Sequence, residues 1–251
     1  MLKAAADTLA NPAEGGTLFP LEVEGLRFED RGRVLVDGMT FKLDGRRRTV
    51  IMGPNGAGKS LLLRLIHGLL VPKAGTIRWA GQALDDMIRA RQALVFQRPT
   101  LLRRSASDNL RFVLSHLPHG ERERRVEQLM AEARLEAVAN SPARLLSGGE
   151  QQRLAIARAR ARFPEVLLLD EPSASLDPAS THAIEEMIRA AHADGTKIVL
   201  VTHDVGQAKR LADDVLFVSR GRIAEYTGAA QFFTRPAAEA ARAYLEGRLD
   251  L

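Results

Sequence analysis

Gly53-Pro54-Asn55-Gly56-Ala57-Gly58-Lys59-Ser60 sets glycines, a lysine and a hydroxyl at the spacing G-x-x-x-x-G-K-[ST]. Gly56 and Gly58 let a loop turn inward with no side chain in the way. Backbone N–H groups can then surround phosphate oxygens at a helix start, where the dipole also favours an anion. Pro54, Asn55, Ala57 and Leu61 belong to the same cradle. Lys59 is placed to reach the β- and γ-phosphates of a nucleotide, and the Ser60 hydroxyl to hold Mg²⁺. The plain alternative is a glycine turn before Lys-Ser. The flanks oppose it: Arg48 to Met52 suits a buried strand and Leu61 to Ile66 a buried helix, the context the pattern needs.

Asp170 and Glu171 follow the apolar run Val166 to Leu169, and His203 follows Lys197 to Val201. In an open parallel sheet the strand carboxyl ends share one edge, and ligands bind there. These residues are therefore expected to converge with the glycine loop on a γ-phosphate. Successive strand side chains face opposite ways. That predicts Asp170 toward Mg²⁺ and Glu171 toward the attacking water, as its general base. A solvated turn before Pro172 is the rival reading of the pair. For His203, a cap on the next helix is equally open.

Ser147-Gly148-Gly149-Glu150-Gln151 reads locally as a capping box, with Ser147 as N-cap and Glu150 three residues on. Two glycines in a first turn are poor helix formers. They offer open N–H groups at a helix N-terminus, a second anion site. With one nucleotide already cradled, this second cradle is expected to reach a nucleotide held by another subunit.

The elements that must position these groups follow from the rest of the chain. Its 251 residues, 45% hydrophobic and 27% charged, suit one large domain or a core with an inserted subdomain. No cysteine means no disulfide and no thiolate metal site, which fits a reducing compartment. No apolar run approaches a membrane span or a signal peptide, so membrane work would need another chain. The net charge of +5 is mild. Arg46 to Arg48 and Arg122 to Arg125 have interspersed acids and few aromatics nearby, so solvated faces are expected rather than nucleic acid.

Residues 1–19 read as a mobile arm. Residues 20–97 read as a small antiparallel sheet, with turns at Asp37-Gly38 and Asp44-Gly45, leading into the first half of an ATPase core. Residues 98–162 read as an inserted helical subdomain, with Val126, Leu129, Met130 and Ala133 on one face. Residues 163–251 resume α/β alternation: strands at Val166, Lys197 and Val215, helices at Pro178 and Val205, a hairpin to Tyr226, and a helix over 237–248. The fold class is α/β: a parallel-sheet core of the P-loop NTPase (RecA-like) kind with an antiparallel β subdomain and an inserted α-helical subdomain.

Gly53 to Ser60, Gln97, Leu146 to Gln151, Val166 to Pro172, Ser175-Leu176-Asp177 and His203 stand in the order and spacing of the ATP-binding cassette ATPases. The resemblance covers about residues 20–230. It implies two cassettes packed head to tail, with MgATP between the P-loop of one and the Ser147 segment of the other. It implies that Glu171 polarises water, His203 holds the γ-phosphate, and Gln97 joins Ser60 and Asp170 at Mg²⁺. Ser147, Gly148, Gly149 and Gln151 would bind ATP across the seam, beside Asp177. Two departures stand out. Where the family often stacks an aromatic ring on adenine, this chain has Glu29-Asp30-Arg31; the Arg31 guanidinium could stack instead. Leu61 replaces the threonine that often follows the P-loop serine.

Phe96 to Ser105 and the tail from Phe232 to Arg248 look similar to ATPases of oxyanion importers of the tungstate and phosphate type. That resemblance implies a peripheral subunit on the cytoplasmic face of the inner membrane. Its partners would be a second cassette, itself or a paralogue, transmembrane permease subunits and, indirectly, a solute-binding protein. A cassette of an exporter and, less simply, one acting on nucleic acid are the alternatives. The region after Gln97 would receive a permease helix, with Leu101 and Leu102 either in that groove or in the helical core.

Overall fold

The computed structural model describes residues 17–45 and 47–248. The expected arm over 1–19 lies outside them except for its last three residues. Of these, Leu18 is buried, its N–H donating to Glu165 Oε2 at 3.1 Å, and Phe19 meets Trp79 edge-on at 5.7 Å.

The chain opens with strands β1 (Leu21–Asp30), β2 (Arg33–Leu43) and β3 (Thr49–Met52), then helix α1 (Lys59–His67). β4 (Ala74–Trp79), β5 (Gln82–Ala83), the short α2 (Asp86–Ala90) and β6 (Gln92–Val95) follow. Three helices come next: α3 (Ala106–Val113), α4 (His119–Glu132) and α5 (Gly148–Arg160). The last part alternates β7 (Val166–Asp170), α6 (Pro178–Ala193), β8 (Lys197–Val201), α7 (Val205–Leu211), β9 (Asp214–Ser219) and β10 (Arg222–Gly228). It ends in α8 (Ala229–Thr234) and α9 (Glu239–Leu245).

The main sheet has the order β10-β9-β3-β8-β7-β6. β9, β3, β8, β7 and β6 are parallel neighbours, and β10 pairs antiparallel at one edge. Every residue of β3, β7 and β8 is buried, because layers cover both faces. On one face Val50, Met52, Leu167, Leu169, Leu200 and Phe217 pack with the helical region. On the other, Ile51, Leu168, Val199 and Leu216 pack with α1 and the second sheet, of order β2-β1-β4-β5. The apolar face expected on α4 is present: Val126, Leu129 and Met130 are buried, with Ala133 just beyond the helix end.

Some local expectations fail for definable reasons. Asp37-Gly38 is no turn: β2 runs through it, and the register with β1 shifts there, with Gly38 at φ 68°. An extra residue in a strand produces the same glycine signal as a turn does. The β1–β2 reversal comes instead at Arg31-Gly32, both left-handed at φ 49° and 75°. The final helix is shorter than expected, and α8 precedes it in a stretch for which no element was expected.

At the amino-terminal edge of the main sheet, Lys197 is buried and donates to Thr49 Oγ1 at 2.9 Å and to the Arg47 carbonyl. Burial pushes its pKa down to about 8, against the attraction of Asp214. The unfolded chain therefore binds more protons between pH of about 8 and 10.5, and this group's contribution to stability rises through that window. Denaturant midpoints at pH 8 and pH 10 should show wild type gaining stability relative to Lys197→Met as pH rises. Parallel profiles for the two proteins would contradict the assignment.

Candidate functional site

β3 delivers the glycine loop to the carboxyl edge of the sheet between β8 and β9. Gly53 (φ 145°) passes so close to β9 that a Cβ there would lie 2.0 Å from the Val218 carbonyl oxygen. Gly58 (φ 101°) caps α1, and its Cβ would lie 2.9 Å from the Leu35 carbonyl oxygen. The β9–β10 turn stitches the loop in place: Gly221 N–H donates to Ala57 O at 3.1 Å, and Asp37 N–H to Gly221 O at 2.8 Å. Lys59 is 5% exposed, and its ammonium donates to the Gly53 and Pro54 carbonyls at 2.8 and 2.9 Å. Burial lowers its pKa against the pull of Glu171 and Asp170. A buried cation bound only to neutral carbonyls, at a helix N-terminus, is a fit for a phosphate.

Ser60 and Asp170 meet: Ser60 Oγ donates to Asp170 Oδ1 at 2.7 Å. Asp170 is 4% exposed, and burial raises its pKa. Among the described residues no three or more His, Cys, Asp or Glu side chains gather as a protein-only metal cage. The Ser60–Asp170 pair instead offers the hydroxyl and carboxylate that Mg²⁺ takes together with substrate phosphates.

Glu171 departs from the expected strand alternation. β7 ends at Asp170, and Glu171 adopts φ 47° while its N–H still donates to Val201 O at 2.9 Å. A left-handed residue, not pleating, separates the two carboxylates. Positive φ in a non-glycine residue is uncommon and clusters at functional sites. Glu171 Oε2 lies 3.1 Å from His203 Nδ1 and 3.5 Å from Gln97 Nε2. A carboxylate oriented by an imidazole can accept a proton from water. His203 does not cap the next helix: Asp204 does, accepting from Gln207 N at 2.9 Å.

The Ser147 capping box is present, with Ser147 N–H donating to Glu150 Oε2 at 2.7 Å and Glu150 N–H to Ser147 Oγ at 3.3 Å. The glycines also have a packing cause. A Cβ on Gly149 would fall 2.2 Å from Ser180 Oγ, so α5 and α6 could not approach as they do. Asp177 caps α6, accepting from Ser180 N at 2.8 Å, and Gln151 Nε2 donates to Leu146 O at 2.8 Å. Ser147 and Gly148 are exposed, as is Leu145, at 72%.

A cavity of about 530 Å³ beside the loop is lined by Gly53 to Ala57, His203, Phe217, Tyr244 and Arg248. Tyr244 lies in the tail that carries the oxyanion-importer resemblance, but no spacing signal placed it at this cavity. Arg31 is exposed at the β1–β2 turn and does not line this cavity. A second groove, about 360 Å³, runs between β6 and α5 past Phe96, Pro99, Thr100, Val113, Arg158 and Ala159. Leu101 packs on the helical core, and neither it nor Leu102 lines the groove. Arg125, from the basic run in α4, stacks on Phe163 at 4.3 Å.

The sequence profile of the family described as ABC transporter matches residues 36–174. The chain is 36% identical to the phosphate import ATP-binding protein PstB of Thermotoga maritima, over 91% of this chain and 98% of that protein. It is 35% identical to the tungstate uptake system ATP-binding protein TupC of Peptoclostridium acidaminophilum, over 83% and 98%. It is 37% identical to the Nod factor export ATP-binding protein I of Ralstonia nicotianae, over 80% of this chain but 65% of that protein. The dimeric ATP-binding cassette MJ0796 bound to ADP and phosphate superposes with a TM-score of 0.75 at 27% identity, over 83% of this chain and 98% of its own. The chain belongs to the ABC transporter family and is one of its ATPases.

Proposed function

We propose that two copies of this chain, packed head to tail, hydrolyse MgATP to drive import of an oxyanion of the phosphate or tungstate type through a separate permease. The observation that carries the mechanism is Glu171, held off the strand path at φ 47° with His203 3.1 Å away, at the edge where the P-loop ends. Lys59 and the loop from Gly53 to Leu61, through the N–H groups of its residues other than Pro54, bind the phosphates. Ser60, Asp170 and Gln97 would hold Mg²⁺, which supplies charge neutralisation at the phosphates when bound. Glu171 accepts the proton of the water whose oxygen attacks the γ-phosphorus, and ADP leaves with the bridging oxygen. His203 steadies Glu171 and the γ-phosphate. Arg31 stacks on adenine from the β1–β2 turn.

Ser147, Gly148, Gly149, Gln151 and Asp177 serve the partner's nucleotide. Within one chain this segment turns to Leu176 and Ser180, and its outer face is exposed. The similarity to a dimeric cassette supports that arrangement. The groove between β6 and α5 receives a permease helix, with Pro99, Thr100 and Val113 as its contacts. Among the described residues no helix is long and apolar enough to cross a membrane. Likeness to import ATP-binding proteins supports work at the cytoplasmic face through that permease. Likeness to phosphate and tungstate proteins along 98% of their length supports import, with a solute-binding protein upstream. Likeness to a Nod factor export protein keeps an exporter as the second reading.

Glu171→Gln should bind ATP as wild type does while turnover falls at least about a hundredfold, the scale of a lost general base. Hydrolysis at the wild-type rate would remove that assignment. Ser147→Arg should abolish hydrolysis yet leave ATP affinity of the monomer, measured by calorimetry, unchanged. A monomer affinity that falls in step with turnover would show an ordinary helix cap. Arg31→Ala should raise the KM for ATP, with an unchanged KM excluding the adenine contact.

A further inference from the structure

The end of the chain reaches the candidate site from a direction no motif announces. Glu225 Oε2 accepts the N–H groups of Ala237 and Ala238, both at 2.9 Å, and so fixes the start of α9. Ala241 and Ala243 are buried beneath the helix. Its last turn lays the Tyr244 ring 5.4 Å from that of Phe217, whose strand partner is Met52, the residue before Gly53. From there the Tyr244 hydroxyl donates to the His203 carbonyl oxygen at 3.0 Å.

That carbonyl lies in the short link between a strand and a helix. His203 stands between the end of β8 at Val201 and the start of α7 at Val205. Asp204 is fixed on both sides, its N–H donating to Thr202 Oγ1 at 3.1 Å and its carboxylate capping α7. The His203 side chain is half exposed, and its polar partner is Glu171. The Tyr244 bond thus holds the carbonyl side of the peptide whose N–H the Thr202 hydroxyl holds, and it ties that peptide to α9. Burial, and then the Glu171 and Asp204 carboxylates, raise the phenol pKa, so the hydroxyl stays protonated as a donor.

We propose that Tyr244 is a positioning residue for hydrolysis: its hydroxyl holds the His203 backbone so that the imidazole stays in register with Glu171 and the P-loop. The proposal rests on the catalytic reading of His203 given above. It makes α9 part of the site rather than a tail on the core. The loop, His203, Tyr244 and Arg248 line one cavity.

Tyr244→Phe tests it, because the ring packing on Phe217 survives and only the hydroxyl is lost. With the full-length protein, kcat for ATP should fall roughly three- to tenfold, the scale of one hydrogen bond. KM for ATP and the thermal midpoint should stay at wild-type values. In a His203→Ala background, the same substitution should have no further effect on kcat. An unchanged kcat, a loss matched by a lower thermal midpoint, or a full additional loss in the His203→Ala background would each overturn the proposal. Normal hydrolysis by His203→Ala alone would instead sink the catalytic reading of His203, and the Tyr244 role with it.

Discussion

The close passage of Gly53 beneath the Val218 carbonyl is the constraint on which the rest depends. A strand between two parallel neighbours leaves its loop no lateral freedom. Here even a methyl group would collide with β9, at 2.0 Å. The loop must therefore leave the sheet in one direction, with its N–H groups turned inward and α1 starting immediately. Gly58 meets the Leu35 carbonyl from β2, and the β9–β10 turn ties Ala57 to Asp37. The small antiparallel sheet is thus a brace for the glycine loop, which gives a physical reason for attaching it to a parallel core.

Charge explains the arrangement around that cradle. Lys59, Asp170 and Glu171 are brought together at a buried edge where no ion is fully compensated. Burial lowers the lysine pKa and raises that of Asp170, while each attracts the other. Such a site is costly in the absence of ligand. A polyphosphate with a divalent cation, as proposed, would complete both sides at once: anion for the ammonium, cation for the carboxylate. Glu171 stands apart because a left-handed backbone turns it from β7 toward His203. Adjacent in sequence, the two carboxylates thereby meet different partners, Ser60 for Asp170 and His203 for Glu171.

The strands of the main sheet were legible because their apolar runs are uninterrupted, as in Val166 to Leu169 and Lys197 to Val201. The P-loop, the Asp170-Glu171 pair and the Ser147 box were legible because their residue types admit few other uses. What escaped the sequence depended on contacts between distant segments. Gly38 marks a strand irregularity instead of a turn, since either needs the same left-handed backbone. Gly149 owes its identity to Ser180 in another helix. Tyr244 is the one aromatic of the Ala-rich α9, and only folding places its hydroxyl on His203. Leu101 and Leu102 were ambiguous between groove and core, and packing removed Leu101 to the core while Pro99 and Thr100 took the groove.

The central claim is that one chain carries half of each working site, with the exposed Ser147-Gly148 segment and its neighbour Leu145 waiting for a second copy. The most direct test is the specific ATPase activity of the purified chain as a function of its own concentration, at saturating MgATP. The account predicts that activity per chain falls in proportion to protein concentration once the dimer dissociates, and recovers on reconcentration. Activity per chain that stays constant under dilution, while light scattering reports a monomer, would contradict it.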